Sequence, residues 1–153
     1  ESFWDALEAF EGDVIASHSN CRALVPGDRQ LSDEQIRALI ERDAVIGVAL
    51  DAWMLYPGWI KGVTSNEVVS LEAVVDQIEH IVDLAGDTRH VAIGSDLDGG
   101  FGKEQCPHDL DTIADLQKIS LILRNRGYGD QGVRNIMYEN WLRKLKAALP
   151  AKG

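Results

Sequence analysis

Three apolar runs in this chain end in residues able to do chemistry: Ser17-His18-Ser19-Asn20, Asp51-Ala52-Trp53 and Ser95-Asp96-Leu97-Asp98-Gly99-Gly100. An imidazole such as His18 ligates zinc well and titrates near neutrality; a hydrogen bond to a neighbouring loop would suit it equally. Asp96 and Asp98 precede two glycines that allow the backbone to turn closely over a ligand. A carboxylate there can take a proton, orient a water or hold an ammonium group, or simply cap a turn. Arg29, 11 residues after His18 in a loop with Pro26 and Gly27, offers a planar guanidinium that clamps a carboxylate through two parallel bonds, or stands as a solvated surface charge.

Two other readings of the aspartate run fail on spacing. Counting Asp96 as the first position of a calcium loop puts Phe101 where its glycine belongs and Pro107 at the bidentate glutamate position. The glycines follow the carboxylates and form no GxGxxG for a dinucleotide. Among the other histidines, His80 sits between apolar residues of an amphipathic helix, His90 opens a strand at the end away from the others, and His108 reads as exposed or as lining the mouth of a cleft. Trp53 and Trp59 belong to the loop after the second strand, as a lid, a pocket wall or packing beneath that loop.

The elements that must position these residues alternate. Phe3, Leu7 and Phe10 mark one face of an opening helix ending at Gly12, and Val14-Ile15-Ala16 reads as a short buried strand. Ser32 and Gln35 form a capping box for a helix running to about Asp43. Val45 to Leu50 is a second buried strand. Ser70 opens a helix carrying Leu71, Val74, Val75, Ile78 and Ile81 until Gly86 stops it, and His90 to Gly94 is the third strand. A helix over about 112–126, a Gly127-Tyr128-Gly129 turn and a last helix from about Asp130 to Leu149 follow. Alternating helices and uniformly apolar strands predict an α/β fold with a parallel sheet, either doubly wound or part of a (β/α)8 barrel, with the chemistry at the C-terminal strand ends.

Composition narrows the partners. The 153 residues carry 25 Asp+Glu against 15 Lys+Arg, a formal charge of -10, which repels phosphate backbones and anionic lipid; nucleic acid is not expected. No run of about 18 apolar residues predicts a membrane span, and the start at Glu1 lacks the basic-then-apolar form of a signal peptide. The missing initiator Met suggests that a segment upstream has been removed. Two cysteines, Cys21 and Cys106, make no disulfide framework or CxxC site, so a reducing cytoplasm is the default expectation. The chain reads as one domain over 1–153.

Val14 to Asn20, with Arg29, with Gln77-Ile78-Glu79-His80-Ile81, with Gly94 to Gly100 and with the closing Asn140-Trp141-Leu142-Arg143, resembles the membrane (renal) dipeptidase family of zinc peptidases, in its C-terminal part. The resemblance implies the last portion, about three βα units, of a (β/α)8 barrel whose full site holds two zinc ions and hydrolyses dipeptides. It implies His18 as a metal ligand at the end of the family's sixth strand, Arg29 as the binder of the substrate carboxylate, and Asp96, at the end of the eighth, as the residue handling protons and the substrate amine. The family's HxD pair, its bridging glutamate and a further histidine precede the region represented here, and nothing in this chain replaces them. A barrel of this kind takes about 250 residues. Leu50-Asp51-Ala52-Trp53 stands where many relatives carry an Asn-Phe-Tyr-like segment, and Glu139 where a glycine is common before Asn140, departures that bear on substrate preference. The expectation is therefore a fragment inactive alone, that assembles with a missing N-terminal half or with itself. The other classes left open are a non-catalytic partial-barrel module and a related amidohydrolase acting on esters or lactones.

Overall fold

The computed structural model describes residues 2–149; Glu1 and residues 150–153 lie outside it. Its centre is a three-stranded parallel sheet in the order β1 (Ile15–Ala16), β2 (Val45–Ala49), β3 (Val91–Ser95). The order follows the chain without reversal, so neighbouring strands are always joined by a helical crossover. Helix α1 (Ser2–Ala9) precedes β1, α2 (Asp33–Glu41) joins β1 to β2, and α3 (Leu71–Ala85) joins β2 to β3. After β3 come α4 (Lys118–Asn125), α5 (Asp130–Arg134) and α6 (Asn140–Ala148).

Local chemistry sets the helix limits. Ser32 Oγ accepts from the Gln35 N–H at 3.3 Å while Gln35 Oε1 accepts from the Ser32 N–H at 2.9 Å, so the expected capping box opens α2. Gly86 ends α3 at φ 76°, a left-handed turn that costs glycine nothing. Leu71, Val74, Val75, Ile78 and Ile81 of α3 are fully buried against the sheet and its flanking helices, each worth about 1.5–3 kcal/mol against exposure. Arg126, just beyond α4, ties that helix to α3 through Glu72, Asp76 and Glu79.

Several expected boundaries differ. The opening helix stops at Ala9, and Phe10 is 55% exposed rather than on the packed face. The 112–126 segment starts as a 3-10 turn over Ile113–Gln117 before becoming α4. The last helix contains one π turn, Asn135–Glu139, between α5 and α6. Only β2 is the strand buried on both faces that the apolar runs suggest. β1 is two residues long and Ile15 is 53% exposed, because β1 and β3 are the sheet's outer strands and each has one neighbour alone.

The closing Asn-Trp-Leu-Arg run is structural. Asn140 Nδ2 donates to the carbonyls of Thr88 and Val91 at 2.7 and 2.8 Å, and Trp141 Nε1 donates to that of Ile93 at 2.9 Å. Arg143 reaches Asp43 at 2.6 Å, and the buried Lys144 ammonium is neutralised by Asp13 at 2.8 Å and Asp43 at 3.3 Å. At Asp43, burial would raise the carboxyl, but Arg143 and Lys144 outweigh it and hold it below the usual range. Helix α6 is thereby fixed to β3 and to the start of β2.

Candidate active site at the strand ends

His18 follows β1 and is half-buried, with Nδ1 2.8 Å from Ser17 Oγ. That contact occupies one ring nitrogen and leaves Nε2 for another partner. The loop beyond is anchored by Asn20: its amide donates to the carbonyls of Ala49 at 3.1 Å and Met54 at 3.0 Å, and its Oδ1 accepts from the Ala49 N–H at 2.8 Å. A fully buried amide satisfied from three sides fixes where the β1 end sits relative to β2. Arg29 folds back onto this end, donating to the His18 carbonyl at 2.9 Å and to Ser19 Oγ at 3.4 Å. Its side chain is otherwise exposed, so the guanidinium is oriented beside His18 with donors to spare.

At β3 the pairing with β2 slips. Val48 faces Ile93 but Ala49 faces Ser95, so Gly94 is an extra residue on β3. Immediately after this bulge Ser95 and Asp96 take φ 46° and 63°, a left-handed conformation that costs a non-glycine residue roughly 1–2 kcal/mol. The excursion re-aims the half-buried Asp96 away from the direction the strand would have given it. The turn is closed by Gly99, whose N–H donates to the Asp96 carbonyl at 2.8 Å; a Cβ on Gly99 would come within 2.7 Å of Asp96 Oδ1. The ends of β1 and β3 converge over β2, since the Ser17 carbonyl lies so near Gly47 and Gly94 that a Cβ on either would approach it within 2.2 and 2.3 Å.

The structure thus groups His18 with Arg29 at one strand end and brings Asp96 to the same edge of the sheet. Asp98, one turn further, is exposed. Asp51, which ends the second apolar run but to which the sequence assigns no role, occupies the equivalent level on β2. It is 6% exposed; Gln105 Nε2 donates to Oδ1 at 3.0 Å and Oδ2 at 3.2 Å, and the Trp53 N–H donates to Oδ1 at 3.3 Å. Burial pushes its carboxyl up, those donors oppose the rise, and the Asp96 charge adds to it. Its position directly after a wholly apolar strand, like that of His18 and Asp96, was the available signal. Beside it opens a cavity of about 350 Å³ walled by Trp53, Trp59, Phe101 and Gln105. Both loop tryptophans line this cavity, and Trp59 also packs against the core beneath its loop.

The remaining histidines and both thiols belong to the scaffold. His80 Nε2 pairs with Asp33 at 2.7 Å, linking α3 to α2; His90 is buried with Nδ1 3.0 Å from the Ala44 carbonyl; His108 is exposed. Burial, aided by the Asp33 charge, pushes the Cys21 thiol to about 12, and burial raises Cys106 too, so neither is a thiolate near neutrality. Among the described residues no three His, Cys, Asp or Glu side chains come together as a metal site. His18 offers one nitrogen, and zinc takes three or four protein ligands; the chain's own residues do not by themselves fit the ion.

Comparison with known proteins agrees with this fold. A family model for membrane dipeptidase, peptidase family M19, matches residues 1–152. The chain is 32% identical over 147 residues to a Klebsiella pneumoniae protein known as the uncharacterized protein in the pqqA 5′ region, covering 95% of this chain and 51% of that protein. It is 28% identical to a dipeptidase of Claviceps purpurea, covering 93% of this chain and 31% of that one. It therefore spans from about a third to about half of the length of these relatives. A Rhodobacter sphaeroides metallopeptidase, crystallised with a phosphinate mimic of the dipeptide L-Ala-D-Ala, superposes with a TM-score of 0.82 at 27% identity, over 96% of this chain and 39% of that one. The crystal structure of a family M19 metallopeptidase, dipeptidase AC, gives 0.83 at 28%, over 97% and 41%. With its parallel sheet, its strand-end residues and a family match across nearly its whole length, the chain belongs to the membrane dipeptidase family, peptidase family M19.

Proposed function

We propose that the chain is the C-terminal part of a zinc-dependent dipeptidase, the last three βα units of a (β/α)8 barrel, and that it supplies His18, Arg29 and Asp96 to a site completed by residues outside it. The observation that carries this reading is the delivery of all three to one edge of the sheet, with Asp96 turned there by a bulge and two left-handed residues. The sequential strand order and the single-neighbour strands β1 and β3 support a sheet that continues beyond this chain. In the complete protein His18 gives one imidazole to the metal, the other ligands coming from the absent part. Arg29, already oriented by the His18 carbonyl, binds the substrate carboxylate through its free donors. Asp96 holds the substrate amine, takes up the proton released by the attacking water and passes it to the leaving nitrogen as the peptide C–N bond breaks.

The test compares the 153-residue chain with a complete protein carrying the family's HxD-containing N-terminal half. The complete protein with zinc is expected to hydrolyse L-Ala-D-Ala; the chain alone is expected to retain little zinc after dialysis and to show no turnover. Robust turnover and stoichiometric zinc in the isolated chain would end the fragment reading, and no hydrolysis by the complete protein would favour the non-catalytic module or an esterase-type relative. The exposed Tyr138, Leu142, Leu145 and Leu149, spaced as one stripe on the last helical segment, give the self-assembling module its specific support.

In the complete enzyme Arg29→Lys should raise KM while leaving kcat close to its original value. The ammonium keeps the charge but loses the forked pair of bonds, a cost of about 1–3 kcal/mol, or roughly five- to more than a hundredfold in KM. Steady-state kinetics with a free and a C-terminally amidated dipeptide check it: an unchanged KM for the free acid would return Arg29 to the solvated surface.

A further inference from the structure

We propose that the cavity beside Asp51 is a subsite for a cationic side chain, a guanidinium or ammonium on a short apolar stem, so that the protein prefers ligands carrying a basic residue. The inference rests on the dipeptidase reading only where it identifies that ligand as a dipeptide.

The donors and acceptors lining the cavity define its occupant. Asp51 Oδ1 already accepts from Gln105 and the Trp53 N–H, whereas Oδ2 accepts only from Gln105 at 3.2 Å. Oδ2 therefore keeps lone pairs for a further donor. A carboxylate sheltered from water binds a charged donor more strongly than an exposed one does. Trp53, Trp59 and Phe101 line the cavity; aromatic rings attract a cation at their faces and offer apolar area to its aliphatic stem. Lys61, exposed at the cavity's edge, is the one positive charge among the lining residues and opposes a cation; its flexible stem lets the ammonium turn out to solvent. The Asp96 charge, near enough to act on the Asp51 carboxyl, adds to the negative potential, as does the chain's net charge of -10.

The experiment titrates the full chain with N-acetyl-arginine amide and follows the indole N–H resonances by NMR. N-acetyl-citrulline amide serves as the neutral isostere and N-acetyl-glutamate amide as the anion. The arginine compound is expected to shift the Trp53 and Trp59 resonances saturably and to bind at least about tenfold more tightly than the citrulline compound, the ratio expected for one charged hydrogen bond. Asp51→Asn should remove that ratio, and Lys61→Ala should tighten arginine binding severalfold. Equal binding of arginine and citrulline, tighter binding of the glutamate compound, or no movement of the two indoles would overturn the proposal. Should Asp51→Asn fail to fold, the surface change Lys61→Ala decides, and unchanged or weaker arginine binding in it counts against the subsite. Arginine selectivity without hydrolysis in the complete protein would defeat the peptidase reading alone; hydrolysis without arginine selectivity would defeat the subsite alone.

Discussion

Alanine at position 47 is expected to remove a large part of the chain's folding free energy, although it adds a single methyl group. Gly47 lies in the middle of the central strand, where a Cβ would stand 2.2 Å from the Ser17 carbonyl oxygen, 2.7 Å from Gly94 Cα and 2.9 Å from Trp141. Two of these neighbours are backbone and cannot rotate away. Ser17 is held because the next residues are hydrogen-bonded to β2, the Ser19 N–H to the Gly47 carbonyl at 2.7 Å and Asn20 to Ala49. Relief would require lifting the end of β1 off the sheet, taking His18 and Arg29 with it. A loss above about 4 kcal/mol is expected, the range of the most disruptive single substitutions, against a total of about 5–15 kcal/mol for a domain. Urea unfolding followed by circular dichroism measures it. Gly129→Ala is the control, since nothing lies within 4 Å of its Cβ and its φ is −69°; it should stay within about 1 kcal/mol. Similar midpoints for the two variants would show that the β1 end is not seated on the sheet as described.

Asp96→Asn in the complete protein should lower kcat by about 10²- to 10⁴-fold, the usual range for loss of a general acid or base, with KM changed far less. The substitution suits this site because asparagine, like aspartate, tolerates the left-handed backbone found at φ 63°. The bulge and the Gly99 turn should survive, and the amide retains the shape and some hydrogen bonding of the carboxyl while losing its proton transfer. Kinetics with a dipeptide, beside a thermal melt, separate chemistry from folding. Activity within about threefold of the parent, at an unchanged melting temperature, would take Asp96 out of the mechanism.

Much of this architecture was written locally. Ser32 and Gln35 specify the start of α2, Gly86 the end of α3, and the spacing of Leu71, Val74, Val75, Ile78 and Ile81 the buried face of α3, because capping and periodicity act over a few residues and leave a pattern in them. The three strand ends were legible for the same reason, and with them the places of His18 and Asp96 just beyond β1 and β3. The exposure of Ile15 was not, since an apolar triplet reads alike in a central and an outer strand; only the list of neighbours in the sheet distinguishes them.

The amino-acid sequence by itself determined the order of helices and parallel strands, the polar residues ending each strand and, through its motifs, the family. The tertiary structure decided how those residues present their chemistry. The extra residue at Gly94 exists only relative to β2, so the turning of Asp96 depends on a register that one strand cannot encode. Asp51 becomes a sheltered carboxylate because Gln105, 54 residues away, closes over it, and the cavity beside it draws walls from two separate loops. Contacts of that range leave no periodic trace in the sequence, because the chain between their partners is free to vary while the packed sheet alone brings them together.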